Sequence, residues 1–239
     1  MRHGSKSWML AAINVGTARI LKVILKMSVR KVFWDDPYQT ELQTTVTAVN
    51  ENIITLKETI AYAFSGGQQS DDGTINGFKI LKAQKAGKEI YYTIDDGHNL
   101  QTGDTVQLKI DWDKRYKIMK LHFAAEVILE LVNQNFNRPE KIGANITSEK
   151  SRIDFIWENS ISEMFPVLEQ KAKELIEADK PIISAFSNEA DEIRYWKIEG
   201  FGQVPCGGTH IKRTSELGVL KLKRDRQGKS KERIEIYLT

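Results

Sequence analysis

Two short segments carry side chains that together could hold a metal ion. In the first, His122 and Glu126 stand four residues apart. On a helix, residues i and i+4 share one face, so this imidazole and carboxylate can converge. The second is Cys206-Gly-Gly-Thr-His210. Its paired glycines let the backbone turn tightly enough for the thiol and the imidazole to meet. The donors are two nitrogens, an oxygen and a sulfur, a set that zinc accepts in tetrahedral geometry. A thiolate argues against magnesium and calcium, which prefer all-oxygen shells. Each piece also has a plainer reading. His122 and Glu126 could be a helix-surface pair, Cys206 a small buried hydrophobe and His210 a loop histidine.

The elements that must position these residues can be read from periodicity. Tyr116, Met119, Phe123, Val127 and Leu131 recur every three or four positions. That spacing predicts an amphipathic helix, capped by Asp113 and running to about Phe136. Residues 29–110 read as β-rich. Val46 and Ala48 lead through an Asn50-Glu51-Asn52 turn to Ile53–Leu56, and Glu89–Ile94 and Val106–Ile110 follow as strands. Several short strands with turns between them suggest a small barrel. Beyond the helix, Ile153, Phe155 and Trp157 alternate as a strand. Leu168, Ala172, Leu175 and Ile176 mark a second helix, and Ile182–Phe186 another strand. Leu220 and Leu222, then Ile234, Ile236 and Leu238, form a terminal hairpin turning at Arg226-Gln227-Gly228. The predicted class is α+β: a small β-barrel-like domain over residues 28–112, then an α+β domain over 113–239 with an antiparallel sheet packed on helices. Residues 1–27 read as an extension outside both, a short amphipathic helix with Met27 as an alternative start.

Composition narrows the partners. At 239 residues the chain can bury two modest cores. Lys and Arg total 35 against 32 acidic residues, a net +3 too small by itself to indicate nucleic acid, so the placement of charge matters more. The lone cysteine excludes an intrachain disulfide and fits a reducing compartment, the cytoplasm. No stretch approaches the roughly 20 apolar residues of a membrane span, so no membrane partner is expected. The terminal hairpin concentrates Lys221, Lys223, Arg224, Arg226, Lys229, Lys231 and Arg233 around Asp225 and Glu232. Such a cluster reads either as phosphate contact or as a solvated edge hairpin whose lysines block strand aggregation.

Cys206-Gly-Gly-Thr-His210 resembles the second metal motif of the AlaX proteins and of the editing domain of alanyl-tRNA synthetases. Gly66-Gly67-Gln68-Gln69-Ser70-Asp71-Asp72-Gly73 resembles that family's glycine-rich motif. Asp111-Trp-Asp-Lys-Arg-Tyr-Lys-Ile-Met119 resembles the stretch leading into the metal helix. Ser151-Arg-Ile-Asp-Phe155 and Lys229-Ser-Lys-Glu-Arg-Ile-Glu235 also fit, and the resemblance runs in order over residues 28–239. It implies a trans-editing hydrolase that removes serine, with glycine as a second candidate, from alanine tRNA. It implies one zinc per chain on His122, Glu126, Cys206 and His210. It implies tRNA contact at Gly66, Gly67 and Gln68 and at Lys223, Arg224, Arg226, Lys229, Lys231 and Arg233. No DNA partner is implied, and no oligomeric state is set.

The sequence departs from the family at three points. The family's first metal motif ends in histidine where this chain has Glu126. Glu126 can ligate zinc, act as a general base through water, or mark loss of the metal. A carboxylate ligand brings the ion and its donors near neutrality, which weakens it as a Lewis acid. Ser65 replaces a glycine and Gln69 a proline in the glycine-rich motif. The Gly207 and Gly208 N–H groups can donate to an oxyanion or simply form a structural turn. Two competing readings follow: a catalytically weakened, metal-poor tRNA-binding homologue, and an unrelated metal-dependent hydrolase of small esters or amides.

Overall fold

The computed structural model describes residues 28–239. The helix and alternative start read in residues 1–27 lie outside the described residues.

Eight strands form the N-terminal region: β1 (Arg30–Lys31), β2 (Glu41–Asn50), β3 (Ile53–Leu56), β4 (Glu58–Thr59), β5 (Gly73–Ile75), β6 (Phe78–Ala86), β7 (Glu89–Ile94) and β8 (Thr105–Ile110). β1 and β4 make a short parallel pair. The other six pair antiparallel in the order β2-β3-β7-β6-β5-β8, and β8 returns to β2 to close the ring. Alternation drives this arrangement. In β8, Val106, Leu108 and Ile110 turn inward while Thr105 and Lys109 face water. Gly73 is required where β5 meets β8, because a Cβ there would lie 2.1 Å from the Lys109 carbonyl oxygen.

The C-terminal region holds two helices, α1 (Trp112–Asn135) and α2 (Phe165–Glu177), among seven strands. These are β9 (Lys141–Ile146), β10 (Ser151–Ile156), β11 (Ile183–Asn188), β12 (Ile193–Ile198), β13 (Gly202–Pro205), β14 (Leu220–Gly228) and β15 (Lys231–Leu238). They make two antiparallel sheets, β14-β15-β10-β9 and β11-β12-β13. The whole is α+β. Among the described residues, no helix is long and apolar enough to cross a membrane.

Two expectations are corrected. Asp111, not Asp113, caps α1: its carboxylate accepts the Lys114 N–H at 3.0 Å, and Asp113 lies in the first turn. The terminal hairpin turns at Lys229-Ser230 rather than at Arg226–Gly228. A bulge between Arg226 and Gly228 carries β14 further, and Ser230 takes the left-handed φ of 54°. The central helix is also buried more completely than an amphipathic stripe requires. Ile118, Met119, Leu121, His122, Phe123, Ala124 and Val127 are all buried and together point to every side of it. The larger sheet and α2 flank it, and Trp196 of β12 packs edge-on against Phe123 at 5.3 Å.

Apolar side chains gather into one cluster spanning Val29–Ile110 and another spanning Ile118–Ile236. A buried ion pair bolts them together. The Arg115 guanidinium, one turn into α1, donates from Nε to Asp71 Oδ1 at 2.7 Å and pairs with Oδ2 as well. It also donates to the Ile60 carbonyl at 2.6 Å and the Pro37 carbonyl at 3.0 Å. Asp71 belongs to the glycine-rich motif, so this clamp fixes that motif to the helix carrying His122.

Candidate metal centre

His122 lies seven residues beyond Arg115, two turns along the same face of α1, and Glu126 one turn further. The other half of the site follows β13. Tyr195 pairs with Pro205 in the β12–β13 register, and the Cys206 N–H continues it by donating to the Arg194 carbonyl at 2.9 Å. The chain then crosses directly over the His122 ring. A Cβ on Gly208 would lie 2.0 Å from His122 Cε1, so only glycine passes there. By contrast, a Cβ on Gly207 meets nothing within 4 Å.

The donor atoms converge. Cys206 Sγ is 3.5 Å from His122 Nε2 and 3.3 Å from His210 Nε2. The ligand atoms of His122, Cys206 and His210 all lie within 4.8 Å of one another. Glu126 stands outside this triad but approaches two of its members, with Oε1 3.4 Å from His122 Nε2 and 3.7 Å from Cys206 Sγ. Zinc bond lengths put tetrahedral N–S, N–O and O–S edges at about 3.5, 3.4 and 3.6 Å. The His122, Cys206 and His210 donors and their spacing therefore fit a metal such as zinc, with Glu126 beside His122 and Cys206.

The outer contacts are those that orient metal ligands. Ser184 Oγ meets His210 Nδ1 at 2.9 Å, leaving Nε2 for the centre. Trp196 Nε1 donates to Glu126 Oε2 at 3.0 Å, leaving Oε1. His122 Nδ1 is buried against Gly208 without a partner. The electrostatics divide the two imidazoles. Burial opposes charge on His122, but Cys206 and Glu126 outweigh it and raise its pKa to about 10. Burial likewise pushes the Glu126 carboxyl up, yet His122 and Trp196 bring it down to about 2. Burial, joined by the charge of His122, lowers His210 to about 3. Cys206 and Glu126 thus favour a proton on His122, and burial keeps His210 neutral.

A cavity of about 300 Å³ opens beside these groups. Cys206, Gly207 and Gly208 form one wall, and Trp34, Ser65 and Gly66 of the N-terminal region face them. Trp34 Nε1 donates to the Gly207 carbonyl at 2.9 Å. The glycine-rich turn keeps its shape despite Ser65 and Gln69. Ser65 and Gln68 exchange backbone hydrogen bonds of 3.3 and 3.0 Å around Gly66 and Gly67, whose φ angles are +59° and +85°. Gly67 presses on β9, where a Cβ would lie 2.8 Å from the Ala144 carbonyl oxygen.

The residues expected to meet tRNA fall into different settings. Gly66 borders the cavity. Gln68 is only 1% exposed, and its amide grips Thr209: Nε2 donates to Oγ1 at 2.9 Å and Oε1 accepts the N–H at 3.3 Å. It therefore ties the glycine-rich turn to the Cys206–His210 loop. On the hairpin, Arg224 is paired with Glu232 at 2.6 Å and Arg233 with Asp154 at 2.6 Å. Lys223 lies over the Tyr237 ring at 4.8 Å. Arg226, Lys229 and Lys231 are exposed, and no ion pair engages them among the described residues. The cavity touches this sheet at Lys141 on β9, the edge opposite β14. Sequence reasoning missed Trp34, Ser184, Trp196 and Thr209. Only Thr209, inside the metal motif, carried any signal.

Comparison with known proteins adds a second line of observation. Residues 23–114 match the family described as tRNA synthetases class II (A). Residues 193–235 match the threonyl and alanyl tRNA synthetase second additional domain. The alanyl-tRNA editing protein AlaX-M of Pyrococcus horikoshii is 32% identical, over 87% of this chain and 97% of its own length. AlaX-M of Methanosarcina barkeri is also 32% identical, over 87% and 98%. The alanine–tRNA ligase of Methanococcus maripaludis is 30% identical over 92% of this chain, which spans only 27% of that longer enzyme.

Proposed function

The chain belongs to the AlaX family of alanyl-tRNA editing proteins, and on that premise we propose that it hydrolyses the ester joining a wrong amino acid, serine foremost, to the 3′ end of alanine tRNA. The observation that carries this reading is the convergence of His122, Cys206 and His210 beside a cavity walled by the glycine-rich turn. His122, Cys206 and His210 would hold one zinc, with Glu126 Oε1 as the candidate fourth donor. Zinc held there would supply a Lewis acid for a water or the ester carbonyl. In the overall reaction water adds at the carbonyl carbon and the acyl–oxygen bond breaks. The products are the free amino acid and the ribose hydroxyl.

The chain's own groups have definable parts in this. A trans peptide points its C=O and N–H in opposite directions. The Trp34 bond to the Gly207 carbonyl thereby fixes where the Gly208 N–H points. Neither the Gly207 nor the Gly208 N–H has a hydrogen-bond partner among the described residues. Both suit an oxyanion, which needs preorganised donors. The small β-barrel of the N-terminal region acts as the platform for the tRNA end, with Gly66 at the cavity rim and Gln68 holding the metal loop in place. Arg226, Lys229 and Lys231, which make no ion pair among the described residues, are available for phosphate contact at longer range.

The test is direct. The purified protein is offered seryl-, glycyl- and alanyl-tRNA(Ala), with and without a chelator. We expect the serine ester to fall fastest, the chelator to stop hydrolysis and added zinc to restore it. Absence of deacylation on every substrate would end the reading. A zinc-free preparation that binds tRNA without hydrolysing it would establish the alternative, a tRNA-binding relative disabled at Glu126.

A further inference from the structure

Arg194 is a buried charged side chain near the centre that the chemistry above does not use. It lies on β12 opposite Cys206 and is 4% exposed. Its guanidinium lies against two aromatic rings that also touch each other, 5.3 Å from the Trp34 centroid and 4.9 Å from that of Phe186. Among the described residues it makes one hydrogen bond, from Nη2 to the Trp34 carbonyl at 3.1 Å, and no ion pair. Nε is buried with no partner at all. Arg115, also buried, shows the contrast: carboxylate and carbonyls saturate it. Cys206 and Asp35 favour its charge from a distance, but neither hydrogen-bonds it; a buried cation with no anion in contact is costly, so the setting of Arg194 has room for one.

A second cavity supplies the space. It encloses about 160 Å³ behind the Cys206–His210 loop and is lined by Arg194, Ser184, His210, Lys212 and Asp35. That is room for about five waters at their liquid volume. Lys212 adds positive charge to the wall, although Asp36 lies 3.5 Å from its Nζ. Asp35 is the carboxylate on the same wall, and it is drawn away to Arg30 at 2.8 Å. Trp34, Phe33 and Gly208 line both this cavity and the larger one, so the two stand back to back.

We propose that Arg194 and this cavity form an anion site that takes the phosphodiester nearest the reacting ester of the RNA 3′ end. The inference rests on the editing reading. In an aminoacyl ester the carboxyl group is blocked and the amino group is neutral or cationic. The negative charge closest to the bond being cut is therefore a phosphodiester oxygen. A guanidinium is the side chain best matched to that group.

The experiment compares two fragments of the RNA end, with and without the serine ester. Adenosine and seryl-adenosine carry no phosphodiester, whereas CpA and seryl-CpA carry one. In wild type, CpA should bind at least about tenfold more tightly than adenosine, the gain of hydrogen bonds to a charged group. Seryl-CpA should show the same advantage in KM. In Arg194→Gln both advantages should vanish: CpA should bind no more tightly than adenosine, and seryl-CpA should lose its KM advantage over seryl-adenosine. Arg194→Lys, which keeps the charge and loses the fork, should recover part of the preference and covers the case in which the glutamine variant fails to fold. A folded Arg194→Gln protein that still prefers CpA would overturn the proposal. So would binding of inorganic phosphate that depends on Arg194 without any preference for CpA over adenosine. The titrations need no turnover. A protein inactive on seryl-tRNA would therefore defeat the editing reading and leave the anion site to be judged by binding alone.

Discussion

His122 and Glu126 sit on α1, where the helix's own hydrogen-bond ladder sets their spacing. Cys206 and His210 sit on a loop that has no ladder. The helix half is held at one end by a side-chain cap from Asp111 and by the fully buried Arg115 clamp. The loop half is held from outside, by Gln68 on Thr209, Trp34 on the Gly207 carbonyl and Ser184 on His210. Two of those three props come from the N-terminal region. The contrast teaches that a pair of ligands on a helix comes with its geometry. A pair on a loop borrows its geometry from the rest of the molecule.

The contrast can be broken at successive points. Cys206→Ala removes the sulfur shared by both halves and should reduce zinc to background and abolish deacylation, read by metal analysis and ester hydrolysis. Arg115→Ala strips the anchor of the helix half and leaves Asp71 buried and unpaired. It should cost about 3–5 kcal/mol in denaturant unfolding. Gly208→Ala drives a methyl into the His122 ring and should cost about 1–3 kcal/mol, as overpacking does, together with most zinc affinity. Gly207→Ala, one residue earlier, should match wild type in both, and equal damage from the two would refute the packing argument.

Two further measurements sharpen the comparison. His122, with its pKa raised to about 10, carries a proton at neutral pH that a metal must displace, whereas His210, lowered to about 3, carries none. Metal affinity should therefore rise as pH increases, by about tenfold per unit for each proton displaced. The helix imidazole should release its proton and the loop imidazole should not. Calorimetry in buffers of different ionisation enthalpy counts the protons. The smallest effect is expected from Glu126→His. The helix would still present a ligand at the same spacing, so zinc should be retained and activity kept or raised. Loss of activity with zinc retained would make Glu126 a base instead.

Much of this was legible in the residues. The period of α1 and the spacing of the two segments brought His122, Cys206 and His210 together, because a helix and a tight glycine turn are local structures. The strand bearing Arg194 was not. In Ile193–Ile198 the buried face is Arg194, Trp196 and Ile198, while Ile193 is 49% exposed. An arginine inside and an isoleucine outside invert the pattern that marks a strand. β6 escaped for a different reason. A register shift between Ile80 and Lys82 puts Ile80 and Ala83 on the same buried side, which destroys the period of two. Gln68 read as a ligand-facing polar residue, and its burial depends on Thr209, a partner 141 positions away. No local pattern reports such a contact.

That separation also bears on how the protein assembles. The thiol stands 84 positions past His122, and the amide of Gln68 reaches across 141 to close the loop. Contacts between such remote positions carry the largest loop-closure entropy and slow the search for the native topology. The helix that presents His122 can form from neighbouring turns, long before the thiol arrives. If the donor set takes up metal as proposed, capture would be a clock for the final stage of folding, and its rate would time that stage in a refolding chain.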